Sequence, residues 1–172
     1  MILKRGFPSA LVVRGFGLSG LPAEALTCIE QILTHMASVL EHYSWAEVVD
    51  PQVIRGNWRF DADVDQVPLV VIIPNKAEAA RTAYALESQR LLVDISTVVR
   101  VGADDNSSEV GEAILGELIA ASFSNVPGGA SAFEYQGGGV DQYPEMTVNL
   151  MTVGITIAVG WEVNPGNVNL CE

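Results

Sequence analysis

The residues with the most chemical potential in this chain are few and widely spaced. His35 and His42 are its two histidines. Seven residues apart, they share a face if the segment is helical, and no third His, Cys or Glu follows at a spacing that completes a zinc set. The spacing reads as a surface pair near a helix C-terminal end, where a cation is mildly favoured. Asp61, Asp63 and Asp65 alternate like the opening of a calcium loop, but the later glycine and bidentate glutamate are missing, so they read as an acid-rich turn. Gly137-Gly138-Gly139, inside YQGGGVDQYPEM, is the one place that looks like a ligand loop. A phosphate cradle follows a strand, opens a helix with its amides, and carries a Lys with a Ser or Thr. Here the run leads through Asp141 and Pro144 toward another strand. Residues 136–146 are therefore expected to be a mobile hairpin tip, with Tyr135 and Tyr143 bracketing it as contact residues.

Nucleophiles fare no better. Neither Gly15-Phe-Gly-Leu-Ser-Gly20 nor Gly128-Gly-Ala-Ser-Ala132 matches the elbow that exposes a catalytic serine. Cys28 and Cys171 lie far apart in unlike settings and form no redox or metal motif. Trp45, Trp58 and Trp161 have few cations between them and fit packing better than base stacking. No catalytic residue, cofactor or metal is assigned, and the chain is expected not to be an enzyme.

The elements that would position these residues follow from periodicity. Residues 1–21 hold Pro8 and four glycines without a sustained period and read as an extended N-terminal arm able to reach a neighbour. From Pro22 to His42, Leu26, Ile29, Leu33, Met36, Leu40 and Tyr43 recur every three or four positions, which predicts an amphipathic helix. Strands are expected over Ala46–Asp50, Val53–Phe60 and Val67–Ile73, with Pro68 and Pro74 at the ends of the last. The segment AEAARTAYALE within Asn75–Glu87 reads either as a helix or as a long mobile loop. Over Ser88–Val101, Leu91, Val93, Ile95, Val99 and Val101 alternate with Arg90, Asp94, Ser96 and Arg100, a half-buried strand with one polar face. Asp104 to Ser108 starts a second helix, with Asn106 and Glu109 at capping-box spacing. Val110, Ile114, Leu118 and Ala121 carry its buried stripe to about Ser124. A short strand over Ala132–Gln136 precedes the glycine loop. A long one then runs Met151 to Val163, with Thr152, Gly154, Thr156, Ala158 and Gly160 on its small or polar side; its length and glycines let it extend beyond a single domain's sheet. Residues 164–172 are a short tail. The fold class expected is α+β, a mixed but mainly antiparallel sheet packed against two amphipathic helices, with residues 22–172 as a single domain.

Composition narrows the function classes. A chain of 172 residues, 49% hydrophobic and 17% charged, can bury a core in one domain and is too apolar for disorder. No apolar run reaches the ~18 residues of a membrane span, and Arg14 and Gly15 interrupt the first segment before a signal-peptide core forms. The formal net charge is −12. All nine Lys and Arg lie within residues 1–100, and none follows Arg100. Such a balance argues against gripping nucleic acid, because backbone affinity comes from cations that displace counterions.

In this order of elements the chain resembles the tail terminator, or tail completion, proteins of long-tailed bacteriophages. The resemblance is carried by EALTCIEQILTHMASVLEH, by RLLVDISTVVRVG running into SSEVGEAILGELIAASFS, and by the closing MTVNLMTVGITIAVGWEV. It implies a structural virion protein, a ring usually of six copies that caps the tail tube and joins it to the head-tail connector. DNA passes through such a ring without specific binding, and the protein resides in the virion neck after assembly in the host cytoplasm. Tail-tube and other neck subunits share much of this texture, and a small ligand-binding domain or enzyme is the reading from another class. A ring requires two different patches that meet head to tail. Segregated charge is a source of them: Arg55, Arg59, Arg90 and Arg100 either face acids of a neighbouring subunit or form ordinary polar strand faces. Surplus carboxylates lining the channel would repel passing phosphates.

Overall fold

The computed structural model describes residues 23–56, 67–81, 87–102, 105–142 and 149–163. The expected helix forms over Ala23–Glu41 (α1). Its buried residues, Cys28, Ile29, Ile32, Leu33, Met36, Ala37 and Leu40, fall on one stripe. The second helix spans Ser107–Phe123 (α2) and buries Gly111, Ile114, Leu118, Ala121 and Ser122. Five strands lie among the described residues: β1 Gln52–Arg55, β2 Leu69–Arg81, β3 Glu87–Arg100, β4 Ala132–Gln142 and β5 Leu150–Val163. They form one sheet in the order β1-β2-β3-β5-β4. Only β1 and β2 run parallel; every other pair is antiparallel. The fold is therefore α+β, a mixed, mainly antiparallel sheet against two helices.

Strand alternation decides which face meets the helices. Leu91, Val93 and Ile95 of β3 and Ile155, Ile157, Val159 and Trp161 of β5 pack with both helices in one core, and Val70 and Ile72 of β2 join them. Each such fully buried aliphatic contributes about 1.5–3 kcal/mol over leaving it exposed. Val99, Val101, Met151 and Val153 continue this face under Ile114, with Val48 closing the end. On the second face, Leu69, Val71 and Val98 form a smaller buried cluster.

Several expectations are corrected. Residues 46–50 are not a strand. The amides of Ala46, Glu47 and Val48 donate instead to the Glu117 carboxylate of α2, at 2.9 Å for Glu47 and 3.3 Å for Val48, so their hydrogen bonds are met without a sheet. Pro74 does not end β2, and residues 75–81 are neither helix nor loop but strand, paired with β3 as far as Arg81↔Glu87. Among the described residues the ladder with β1 reaches Arg55↔Ile72, and on the other side the register with β3 slips between Pro74 and Lys76, so β2 continues through the proline with a local irregularity. The triple glycine is not a hairpin tip: Gly137, Gly138 and Gly139 lie inside β4, opposite Thr156, Ile155 and Gly154. β5 does not protrude, because all of it is matched residue for residue against β3. The Asn106 side chain makes no cap bond to the backbone, and its amide meets Glu109 only at 3.5 Å. The arm 1–21, the expected strand beyond residue 56, the aspartates 61, 63 and 65, and the tail 164–172 lie outside the described residues.

Candidate functional site

The chemistry-bearing side chains gather on the sheet's second face, where β5 is lined by small residues. Thr156 of β5 pairs with Asp94 of β3, and Ile73 of β2 lies opposite Asp94 on its other side. The Thr156 hydroxyl donates to Asp94 Oδ1 at 2.6 Å, and Asn75 Nδ2, in the irregularity after Pro74, donates to Asp94 Oδ2 at 2.7 Å. Both oxygens of Asp94 are thus engaged from either side. From β4, the register slip between Val140 and Gln142 turns Asp141 over β5. There its carboxylate fills the space that a Cβ on Gly154 would occupy, with Ser96 Oγ on the other flank. Partial burial, and then the charge of Asp94, raise the Asp141 pKa above its ordinary 3.8. The two neighbouring carboxylates differ in their surroundings: Asp94 accepts one donor on each oxygen, while Asp141 holds its proton more tightly.

Further along the face, Arg90 Nη2 and Glu134 Oε2 approach to 3.9 Å across β5, with side chains 43% and 61% exposed. At that exposure the pair contributes little stability. Arg90 therefore meets an acid from the cation-free half of the chain, as its sequence position invites, but within its own subunit. Arg55 is also engaged at home: Nη2 contacts Glu30 Oε2 at 2.7 Å and Nη1 donates to Thr34 Oγ1 at 3.1 Å, tying β1 to α1. Arg100 is exposed at the end of β3, opposite Leu150. Tyr135 is 43% exposed on β4, which is an edge of the sheet among the described residues. Arg59 and Tyr143 lie outside the described residues. The candidates are thus dispersed: Arg90 reaches the strand that carries Tyr135, whereas Arg55 sits at the opposite edge.

Asp94 and Asp141 are the residues that sequence reasoning did not join. Their signal was the alternation Gly154, Thr156 on β5, which marks a face with room above it. The register that puts Asp141 there depends on a bulge that no motif encodes.

The histidines line a separate open groove of about 570 Å³ at the end of α1, with Ser38, Tyr43, Ser124 and Asn125 among its walls. His35 Nε2 lies 3.2 Å from the Asn125 carbonyl oxygen and His42 Nδ1 lies 2.8 Å from that of Ser38. A carbonyl only accepts, so each ring nitrogen donates, and the neutral ring's other nitrogen is left as an acceptor. Among the described residues no three His, Cys, Asp or Glu side chains gather as a metal set, and no helix is long and apolar enough to cross a membrane. In comparisons with known proteins, no family model and no curated protein matches the chain.

Proposed function

We propose that the chain is a structural virion protein, a tail terminator or tail completion subunit. On this reading copies of it form a closed ring, of six, that caps the tail tube beneath the head-tail connector and surrounds the passing DNA. The observation that carries the proposal is the edge strand β4. It is eleven residues long, it is paired on one side only among the described residues, and it presents Glu134, Tyr135 and Gln136 to solvent. A head-to-tail ring requires one patch that meets a different patch on the next copy, and an unpaired strand edge at one end of a sheet is such a patch. The net charge of −12 suits a channel that DNA must traverse without adhering.

The test is location. A tagged copy incorporated into tailed particles and labelled with gold is expected at a single point, where tail meets capsid. Label spread along the tail would make it a tube subunit, and unlabelled particles would refute a virion role. A small-ligand domain is the second reading, favoured by the His35–His42 groove. It would be supported by a monomer that binds one ligand stoichiometrically and loses it on His35→Ala.

A further inference from the structure

We infer that the outer edge of β4 receives the N-terminal segment of a neighbouring copy, which adds to the sheet as a sixth strand. This rests on the ring reading above and names the segment that closes it. The two register slips of β4, at Tyr135/Gly137 and Val140/Gln142, break its edge into short regular runs. The first, Ala132–Tyr135, carries the exposed Glu134 and Tyr135. Only about four residues can add there before the bulge turns the strand away. The N-terminal segment contains such a stretch, Ala10-Leu-Val-Val13, two of whose residues are β-branched strand formers.

Charge matches the two surfaces. Residues 1–22 hold Lys4, Arg5 and Arg14 and no acid. On the first run of β4 the Glu134 side chain is 61% exposed, approaching Arg90 of its own subunit only to 3.9 Å, and no cation lies in β4 or follows it to the end of the chain. A basic strand on an acidic edge orients the encounter, and backbone hydrogen bonds supply the holding contacts. Position places the donor's starting point. The segment enters α1 at Ala23, and α1 packs against β1 and β2, the far side of the sheet from β4. With strands spaced about 4.8 Å apart, β1 and β4 are separated by roughly 19 Å. In a head-to-tail ring that sets the β1 side of one copy beside the β4 side of the next, the segment starts close to the neighbour's edge. An extended chain of that length also reaches its own β4, at up to ~3.3 Å per residue. The experiment must therefore separate the two.

Full-length chains carrying Gln136→Cys together with Leu11→Cys, Val12→Cys or Val13→Cys, in a Cys171→Ser background, would be oxidised mildly and run without reductant. Cys28 is 1% exposed and stays out of reach. The inference expects a ladder of covalent multimers in at least one variant, collapsed by reductant and missing when the second cysteine is placed at Gln31. A cross-linked monomer of altered mobility would overturn it, since each arm would then close its own edge. Rings without cross-links in all three variants would overturn it while leaving the ring reading intact, and the lack of both rings and cross-links would overturn both. Hydrogen exchange on the unaltered chain provides a check free of substitutions. Assembly should slow exchange of the Ala132–Tyr135 amides, and equal exchange in assembled and dissociated protein would refute the added strand.

Discussion

Substituting the middle of the glycine run tests whether it lies in the sheet. A Cβ built on Gly138 would stand 2.5 Å from the Gly154 carbonyl oxygen, 2.7 Å from Ile155 Cγ2 and 3.0 Å from Ile155 Cα. Two of these three atoms are backbone of the interior strand β5, held between β3 and β4, and cannot swing aside. Gly138→Ala must therefore push β4 off its partner, an overpacking cost of about 1–3 kcal/mol. At roughly 2–4 °C per kcal/mol for a chain of this size, Tm should fall by roughly 2–12 °C. The next residue is the control. Around Gly139 nothing lies within 4 Å of the added carbon, so Gly139→Ala should leave stability unchanged or raise it by up to about 1 kcal/mol by narrowing the unfolded ensemble. Thermal and urea unfolding of the two variants side by side is the assay. Equal behaviour would refute the placement of the run against β5 and restore the mobile hairpin tip.

Three further outcomes follow from the same contacts. Because the folded pKa of Asp141 is raised, its favourable contribution is complete below the unfolded value near 3.8 and is lost as pH rises through the folded value. Asp141→Asn should therefore be more stable than wild type at neutral pH, with the gap closing on acidification toward pH 3.8; a gap of constant size in urea melts across that range would contradict the assignment. Glu117→Gln exchanges a charged acceptor of three amides for a neutral amide oxygen. It should cost about 1–2 kcal/mol and speed proteolysis within residues 44–50, and an unchanged cleavage rate would count against the clasp. Leu118→Ala, at a position 0% exposed beneath both helices' core, should cost about 2–5 kcal/mol in urea unfolding; a loss under 1 kcal/mol would mean the helix is not docked as described.

What was legible in the sequence is what a single element's own pattern encodes. The stripe from Cys28 to Leu40 and the alternation over Leu91–Ile95 and Ile155–Val159 state their period and their buried face without help from neighbours. The readings that failed concern residues whose state is set by a partner. AEAAR has helix propensity, yet Ala77, Glu78, Ala79 and Ala80 take extended geometry because Leu91, Arg90, Gln89 and Ser88 of β3 offer a ladder. Gly137–Gly139 look like a loop by composition, and become strand because β5 presents Gly154 and Ile155 at close range. Val48 and its neighbours look like strand, and are diverted by one carboxylate sixty-nine residues away in sequence. The candidate site shares this cause. Asp94 was visible as a polar position on a strand, but its meeting with Asp141 and Asn75 depends on two bulges, and bulges are properties of a pair of strands.

Electron microscopy of the purified full-length protein is the measurement that bears most directly on the central claim. The account predicts closed single-layer rings, and for six copies of an 18.4 kDa chain a particle mass of about 110 kDa. Monomers at every concentration, or rings that stack without end, would contradict it.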